Sequence, residues 1–379
     1  MIHRVLIASL AYVEPTTRGK LRALAARGLD LTVAVPQRWR DPVLGRVREC
    51  TWERREGLEM FPIPVRHSGD ADRARFGGRE LAALLRDKRP DLVQIEAEPE
   101  TAMARQIVRL SARLRIPTVL VTLANLEGRQ SVFGGWRRRR TLRRLAGALA
   151  GSTGAAALVR RDTPALPVDV VPPLGAVVPT TPARRAHHGL AIGFVGRLVP
   201  HRGLDTLLEA LSRHRHAQWR LTVVGDGPER ERLERLASDL RLAARIRWAG
   251  ALPPDSMADV WPSLDVLVVP SRPTAAWNEP ASATLLEAMA NAVAVIGSDT
   301  GVLPELIDAA GLVTPSGDAD ALAQALEGVL DRERCASLAH AARARALQLY
   351  SDEAIAERTM AFWERLMSQT DQRPAPRRS

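Results

Sequence analysis

Two arginines and two glutamates in the second half of the sequence have the types and spacing to handle a diphosphate and a sugar. Arg197 follows the apolar run Ala191–Val195 through Gly196, and Arg202 stands just before Gly203 and the helix-period segment Leu204–Leu211. A glycine at a strand end lets backbone approach a ligand closely. Paired guanidinium groups bind phosphate oxygens through bidentate, charge-assisted bonds, and the helix N-terminus that follows favours anions as well. A solvated loop with incidental arginines accounts for the same residues. Glu279 stands at the mouth of a helix expected over Pro280–Ala290, and Glu287 lies about two turns further in. Such carboxylates accept hydrogen bonds from vicinal sugar hydroxyls; the plainer alternative is a first-turn acid and an exposed helix charge. Gly225-Asp226-Gly227-Pro228 suits either close approach to a ligand or a simple tight turn with proline in the first turn of a helix. Asp299–Glu305, with Gly301, is a fourth strand-to-helix loop that either lines a site or merely turns the chain.

These loops need strands and helices to hold them. Short apolar runs (Val5–Ser9, Leu31–Pro36, Asp91–Ile95, Thr118–Thr122, Val168–Val171) alternate with helix-period segments (Thr17–Arg27, Gly78–Lys88, Pro99–Leu114). Val47–Trp52 and Leu58–Pro62 read as a hairpin around Glu56-Gly57. After the Pro-rich break from Pro172 to Gly189 the alternation resumes. Ala191–Val195, Arg220–Val224, Ile246–Trp248, Val266–Val269 and Val293–Ile296 read as strands, while Leu204–Leu211, Pro228–Leu240, Pro280–Ala290 and Asp320–Leu330 read as helices. Strands alternating with helices imply parallel sheets covered on both faces. Two such units joined by a linker give an α/β protein of two Rossmann-like, doubly wound domains facing a central cleft, with ligands at the carboxyl ends of the strands. Asp352–Met367 is a further helix.

The 379 residues carry 54 Lys+Arg against 43 Asp+Glu, a formal charge of +11. Only Lys20 and Lys88 are lysines, so the excess reads mostly as a compositional replacement of lysine by arginine, and particular arginines must be argued one at a time. Aromatics are 4% of the chain, which leaves few stacking platforms, and no nucleic-acid module is recognisable; nucleic acid is not an expected partner. Two cysteines, Cys50 and Cys335, build neither a disulfide framework nor a zinc site, and no apolar run approaches the ~20 residues of a membrane span. Val5–Val13 reads as a first strand rather than a leader, so a cytoplasmic protein is expected. Asp70/Asp72 and Asp318/Asp320 are the Asp-x-Asp pairs; both stand at polar helix starts, and no metal is expected at either. Trp136 with Arg137–Arg140, Arg143 and Arg144 forms a basic stretch suited either to an anionic bilayer at the inner membrane face or to a solvated helix face.

The order Gly196-Arg197-Leu198, Arg202-Gly203, Gly225-Asp226-Gly227-Pro228, Pro270-Ser271, Glu279-x7-Glu287, Glu287-Ala288-Met289-Ala290 and Gly297-Ser298-Asp299 closely resembles the donor-binding half of family-4 glycosyltransferases of the GT-B fold. The first half resembles the family more loosely, through Asp91-Leu92-Val93, Glu96–Pro99 and Ile116–Val119. The resemblance implies an N-terminal acceptor-binding domain over 1–175 and a nucleotide-sugar donor-binding domain over 176–350. A C-terminal helix over 351–369 would return to the first domain, followed by a flexible tail, 370–379. It implies a retaining, hexosyl-type transferase (EC 2.4) moving a sugar from a nucleotide-diphosphate sugar to a glycan, lipid or small-molecule acceptor, without metal or other cofactor. Arg197 matches the diphosphate arginine, Arg202 takes the place of a lysine, Glu279 matches the glutamate on the transferred sugar, and Glu287 the one on the ribose. Gly196, Gly225 and the backbone at Ser282, Ala283 and Thr284 would meet the donor, and Ile246–Gly250 its base.

Departures from the family pattern are local. Ala281-Ser282 replace an aromatic and a glycine, Asn291-Ala292 replace a small residue and a glycine, and Ala294 replaces proline. The loop Ala11–Pro15 lacks a double glycine, and Pro172–Gly175 replaces Pro-Asn-Gly. Asn125 stands where a histidine is usual on the acceptor side; Glu96, Glu98 and Glu100, Glu98 foremost, suit either acceptor hydroxyls or, equally, the role of first-turn acids facing a helix dipole. A degenerate GT-B protein acting as a non-catalytic binding or regulatory partner is the alternative these changes raise.

Overall fold

The structure, a computed structural model, describes residues 2–40, 46–126, 132–183, 185, 188–253 and 256–371. Of the tail expected over 370–379, everything from 372 onward lies outside the described residues. The chain forms two units, Met1–Leu174 together with Asp352–Ser379, and Gly175–Ser351.

In the first unit, β1 (Arg4–Ser9), β2 (Asp30–Pro36), β3 (Glu53–Arg55), β4 (Leu58–Ile63), β5 (Leu92–Glu96), β6 (Thr118–Thr122), β7 (Gly147–Ala150) and β8 (Val168–Val170) make one sheet in the order β8-β7-β6-β5-β1-β2-β4-β3. Every pairing is parallel except β3–β4. The central strands are apolar without alternation because helices cover both faces. One face packs on α1 (Gly19–Ala25) and the final helix, the other on α2 (Gly78–Lys88), α3 (Ala102–Arg113), α4 (Val132–Leu142) and α5 (Thr153–Asp162).

The hairpin around Glu56-Gly57 is real, but its first arm is Glu53–Arg55 rather than Val47–Trp52. Glu56 and Gly57 both have positive φ, 45° and 80°, as a two-residue turn of this hand requires. Val47–Glu49 pairs instead with Arg38–Arg40. β7 was not evident in the sequence: Gly147-Ala148-Leu149-Ala150 has no β-branched residue. Its smallness has a cause, since a Cβ on Gly147 would sit 2.7–2.8 Å from Leu366 and Phe362 of the last helix.

The second unit carries β9 (Leu190–Val195), β10 (Trp219–Val224), β11 (Ile246–Gly250), β12 (Val266–Val269), β13 (Ala294–Ser298) and β14 (Leu312–Thr314) in the order β11-β10-β9-β12-β13-β14, all parallel. One face is covered by α6 (Leu204–Ser212), α7 (Arg230–Asp239) and α11 (Ala319–Leu330). The other is covered by α8 (Met257–Val260), α9 (Ala283–Ala290) and α10 (Leu303–Ile307). α12 (Arg332–Arg345), unforeseen in the sequence, buries only Cys335, Ala339 and Ala342, so its apolar period is faint. α13 (Asp352–Asp371) belongs to the first unit, where Phe362 and Trp363 are 1% exposed and the Trp363 indole donates to Gln94 Oε1 at 3.1 Å.

Candidate functional site

The strand-end loops of the second unit are fastened to one another backbone to backbone. Leu198 N donates to Asp226 O at 3.0 Å, and Glu229 N to Leu198 O at 3.1 Å. Gly225 has φ +137°, and a Cβ there would lie 1.9 Å from Gly196 O. The close approach suggested by the Gly225–Gly227 pair is therefore to the neighbouring loop. Gly196 itself has only the Phe194 ring near its Cβ direction, at 4.0 Å, which leaves its Cα face open.

From this frame Gly196-Arg197-Leu198 leads into a 3₁₀ turn, Pro200–Arg202, and then α6. The turn gathers positive charge. Burial first, then the guanidinium groups of Arg202, Arg197 and Arg272, hold the His201 imidazole below its ordinary pKa and so neutral at neutral pH. The His201 ring lies against Trp277, centroids 4.4 Å apart, and the Arg202 guanidinium sits over the same indole at 5.2 Å. Arg272 is anchored on both oxygens of Asp205 at 2.9 and 3.0 Å. Arg197 is exposed and makes no side-chain hydrogen bond or ion pair among the described residues.

Arg202 reaches Glu279. Its Nη1 is 2.6 Å from Glu279 Oε2, and Ser271 Oγ donates to the same oxygen at 2.8 Å. Glu279 is 1% exposed. Burial raises its carboxyl pKa, opposed by Arg202 and the Ser271 bond. Ser271 is positioned in turn: Thr300 Oγ1 donates to its carbonyl at 2.8 Å, and Ser298 Oγ donates to it too. Glu279 O accepts from Val302 N at 2.9 Å, and Gly301, at φ +56°, would place a Cβ 2.1 Å from that carbonyl. Held at both ends in this way, Glu279 cannot enter a helix. α9 accordingly begins at Ala283 rather than Pro280, with Ser282 as N-cap at φ −137°, ψ 83° and no side-chain cap bond.

The first N–H groups of α9, from Ala283 and Thr284 onward, have no partner within the helix and present its positive end. Glu287, half-buried on α9, has its carboxyl pKa raised by burial and offset by a side-chain hydrogen bond from Trp261. Beside Glu279, the Asn278 Oδ1 is buried with no hydrogen-bond partner, a polar atom whose desolvation is uncompensated until a donor arrives. The structure thus brings Arg197, Arg202 and Glu279 to one junction and puts Glu287 beside Trp261. It adds Ser271, Trp277, His201, Arg272, Asn278 and Trp261, to which sequence reasoning assigned no role. Ser271 was visible in the Pro270-Ser271 motif, and Trp277-Asn278 stand beside a glutamate in the sequence; Trp261 and Arg272 carried no signal.

In the first unit Glu98 is spent on the loop after β6. Oε1 accepts from Leu123 N at 2.8 Å and Ala124 N at 3.0 Å, and Oε2 accepts from Thr122 Oγ1. Burial raises its pKa. Asn125 follows that loop, with its Cβ facing Gly154 at the head of α5. Glu96 accepts from Lys20 Nζ at 2.7 Å and Tyr12 OH at 2.9 Å, and Glu100 pairs with Arg138 at 3.5 Å. None of the three is in the first turn of α3, which holds no acid and is capped by Thr101. The Asp-x-Asp pairs also have local work: Asp70 Oδ1 accepts from the amides of Asp72 and Arg73, and Asp318 caps α11. No helix among the described residues is long and apolar enough to cross a membrane.

Two family profiles match the chain: a "Glycosyl transferase 4-like domain" over residues 13–173 and "Glycosyl transferases group 1" over 184–346. The chain is 36% identical over 146 residues to the D-inositol 3-phosphate glycosyltransferase of Corynebacterium jeikeium, 35% of this chain and 34% of that one. It is 34% identical over 156 residues to a GDP-mannose-dependent phosphatidylinositol monomannoside mannosyltransferase of Mycobacterium tuberculosis, 39% of this chain and 40% of the relative. The chain thus spans well under half the length of these relatives. Among solved structures, sucrose-phosphate synthase of Thermosynechococcus elongatus superposes with a TM-score of 0.73 at 19% identity, over 97% of this chain and 100% of that one. Anabaena HepE, solved with UDP and glucose, superposes with a TM-score of 0.67 at 15% identity, over 96% and 100%. With its two parallel-sheet units and both profiles in sequence order, the chain belongs to the GT-B-fold glycosyltransferases of the family-4, group 1 type.

Proposed function

We propose that this chain transfers a sugar from a nucleotide-diphosphate sugar to a hydroxyl-bearing glycan, lipid or small-molecule acceptor, with retention of configuration and without a metal ion. The observation that carries the reading is the charge at the head of α6, where Arg197, Arg202 and Arg272 crowd one neutral imidazole and, among the described residues, only Arg202 and Arg272 of the three have carboxylate partners. An unneutralised guanidinium of this kind is a standing site for a dianion. Relatives whose names specify a GDP-mannose donor, and a fold neighbour solved with UDP and glucose, support the same donor class.

In the reaction the bond from the anomeric carbon to the diphosphate oxygen breaks, and its electron pair leaves with the diphosphate. Arg197, Arg202 and the N–H groups at the start of α9 stabilise that growing charge, a contribution of ~10²–10³ in rate per donor. The acceptor oxygen bonds to the anomeric carbon, and its proton goes to the departing phosphate oxygen. Glu279 and the Asn278 amide oxygen accept hydrogen bonds from the sugar hydroxyls, and Glu287 accepts them from the ribose. Asn278 supports this assignment because its buried oxygen waits for a donor. A panel of nucleotide sugars, scored by thermal shift and by slow hydrolysis, tests it. At least one sugar should raise the melting temperature and be hydrolysed, and both effects should weaken in Arg197→Ala and Glu287→Ala. If no nucleotide sugar binds, the reading fails.

A further inference from the structure

The helical layer of the first unit contains a second concentration of positive charge that has no carboxylate partner among the described residues. On α3, Arg105 and Arg109 stand one turn apart. On α4 and just beyond it, Trp136, Arg137, Arg140 and Arg144 follow at helical spacing, and together they line a cavity of about 290 Å³. That volume is near the lower end for small-molecule pockets and holds about ten waters.

Among the described residues, the nearby acids Asp162 and Glu100 are committed to other arginines. Asp162 accepts from the buried Arg138 at 2.6 Å and pairs with Arg139 at 3.6 Å, while Glu100 pairs with Arg138. Arg105, Arg109, Arg137, Arg140 and Arg144 have no carboxylate partner among the described residues. Arg105 donates to Thr101 O at 3.2 Å, and burial first, then Arg137, Arg109 and Arg75, holds its pKa below the usual value. Trp136 is 56% exposed, with the Arg140 guanidinium over its ring at 5.0 Å. A fold keeps five guanidinium groups around one hollow only against their mutual repulsion, and a bound anion would relieve it.

We propose that Arg105, Arg109, Arg137, Arg140 and Arg144, with Trp136 at the rim, form a binding pocket for a phosphomonoester or diphosphate group. Arg forks suit phosphate oxygens bidentately, and an exposed indole beside them suits a ligand with an apolar portion. The phosphate has two sources, a soluble phosphorylated compound or the headgroup of an anionic lipid.

The test uses the full chain carrying Arg197→Ala, so that pyrophosphate binding in the second unit does not obscure the first. Calorimetric titration with inorganic pyrophosphate is compared among this chain, the same chain with Arg109→Gln and Arg140→Gln, and a control of equal charge with Arg79→Gln and Arg86→Gln on α2. Vesicles of phosphatidylglycerol in phosphatidylcholine are sedimented with the same three proteins. Hydrogen bonds to a charged group are worth about tenfold each, so the pocket variant should bind at least tenfold more weakly while the control is unchanged. Loss confined to pyrophosphate identifies a soluble ligand, and loss that includes vesicles identifies a headgroup. Absence of binding in both assays, or equal weakening in pocket variant and control, overturns the proposal. Circular dichroism verifies that each variant is folded.

Discussion

Replacing Arg202 by methionine removes the counter-charge from a carboxylate that is 1% exposed, while the arginine's own side chain is 28% exposed. Breaking a buried ion pair from one side costs ~3–5 kcal/mol, because the surviving charge is left uncompensated. The partial exposure of Arg202 and the surviving Ser271 bond put this case at the lower end, about 3 kcal/mol. Glu279→Gln combined with Arg202→Met removes both charges and should recover most of that loss, giving a coupling of roughly 2 kcal/mol. Because burial already raises the Glu279 pKa, the single variant should also recover stability as pH falls and the carboxyl protonates. A carboxyl whose folded pKa lies above its unfolded value of 4.5 is most favourable at low pH, and that advantage disappears as pH rises through the folded value. A two-unit chain is not expected to melt in one step. Hydrogen–deuterium exchange of the β12 and β13 peptides, read beside a urea melt, therefore follows the second unit directly. Additive single and double effects, or a loss independent of pH, would refute this account of the pair.

Three further outcomes follow from single positions. Ala292 has φ +57° where the helix α9 ends, so Ala292→Gly should relieve ~1 kcal/mol of left-handed strain and raise the melting temperature of the second unit by a few degrees. Asp352, with its pKa raised from 3.8 to about 6 by burial and by Glu353, penalises the folded state as pH rises through that window. Asp352→Asn should therefore stabilise the protein at pH 7.5 by up to ~3 kcal/mol and flatten the loss of stability between those pH values, as pH-dependent melts will read. Gly301→Ala would place a Cβ 2.1 Å from the Glu279 carbonyl oxygen and force one of them to move; a loss of ~2 kcal/mol or more, with weakened nucleotide-sugar binding, is expected from denaturation and titration together.

The parallel architecture was legible because strands covered on both faces leave uninterrupted apolar runs, as in β1, β9 and β12. What escaped reading was shaped by partners distant in sequence. β7 is small because α13 lies on Gly147, and α12 buries only alanines and a cysteine. Val47–Glu49 pairs with Arg38–Arg40, where a local hairpin was the simpler expectation. At the candidate site, charge type and loop position were visible in Arg197, Arg202 and Glu279. The direct bond between the last two was not, since nothing in their spacing announces that the loop at Gly301 pins Glu279 against Ser271. Glu98 shows the converse: an acid at a strand end drew notice for its chemistry, and the fold uses it to fasten the amides of Leu123 and Ala124.

Whether the arginines at the head of α6 receive the donor diphosphate is decided at Arg197, which makes no side-chain hydrogen bond or ion pair among the described residues. Nucleoside-diphosphate affinity and nucleotide-sugar turnover should be measured for the full chain and for Arg197→Ala, alongside the melting temperature. Arg197→Ala should leave the melting temperature unchanged, weaken diphosphate binding at least tenfold and lower turnover ~10²–10³-fold. Undiminished diphosphate binding by the folded variant would contradict this role for Arg197.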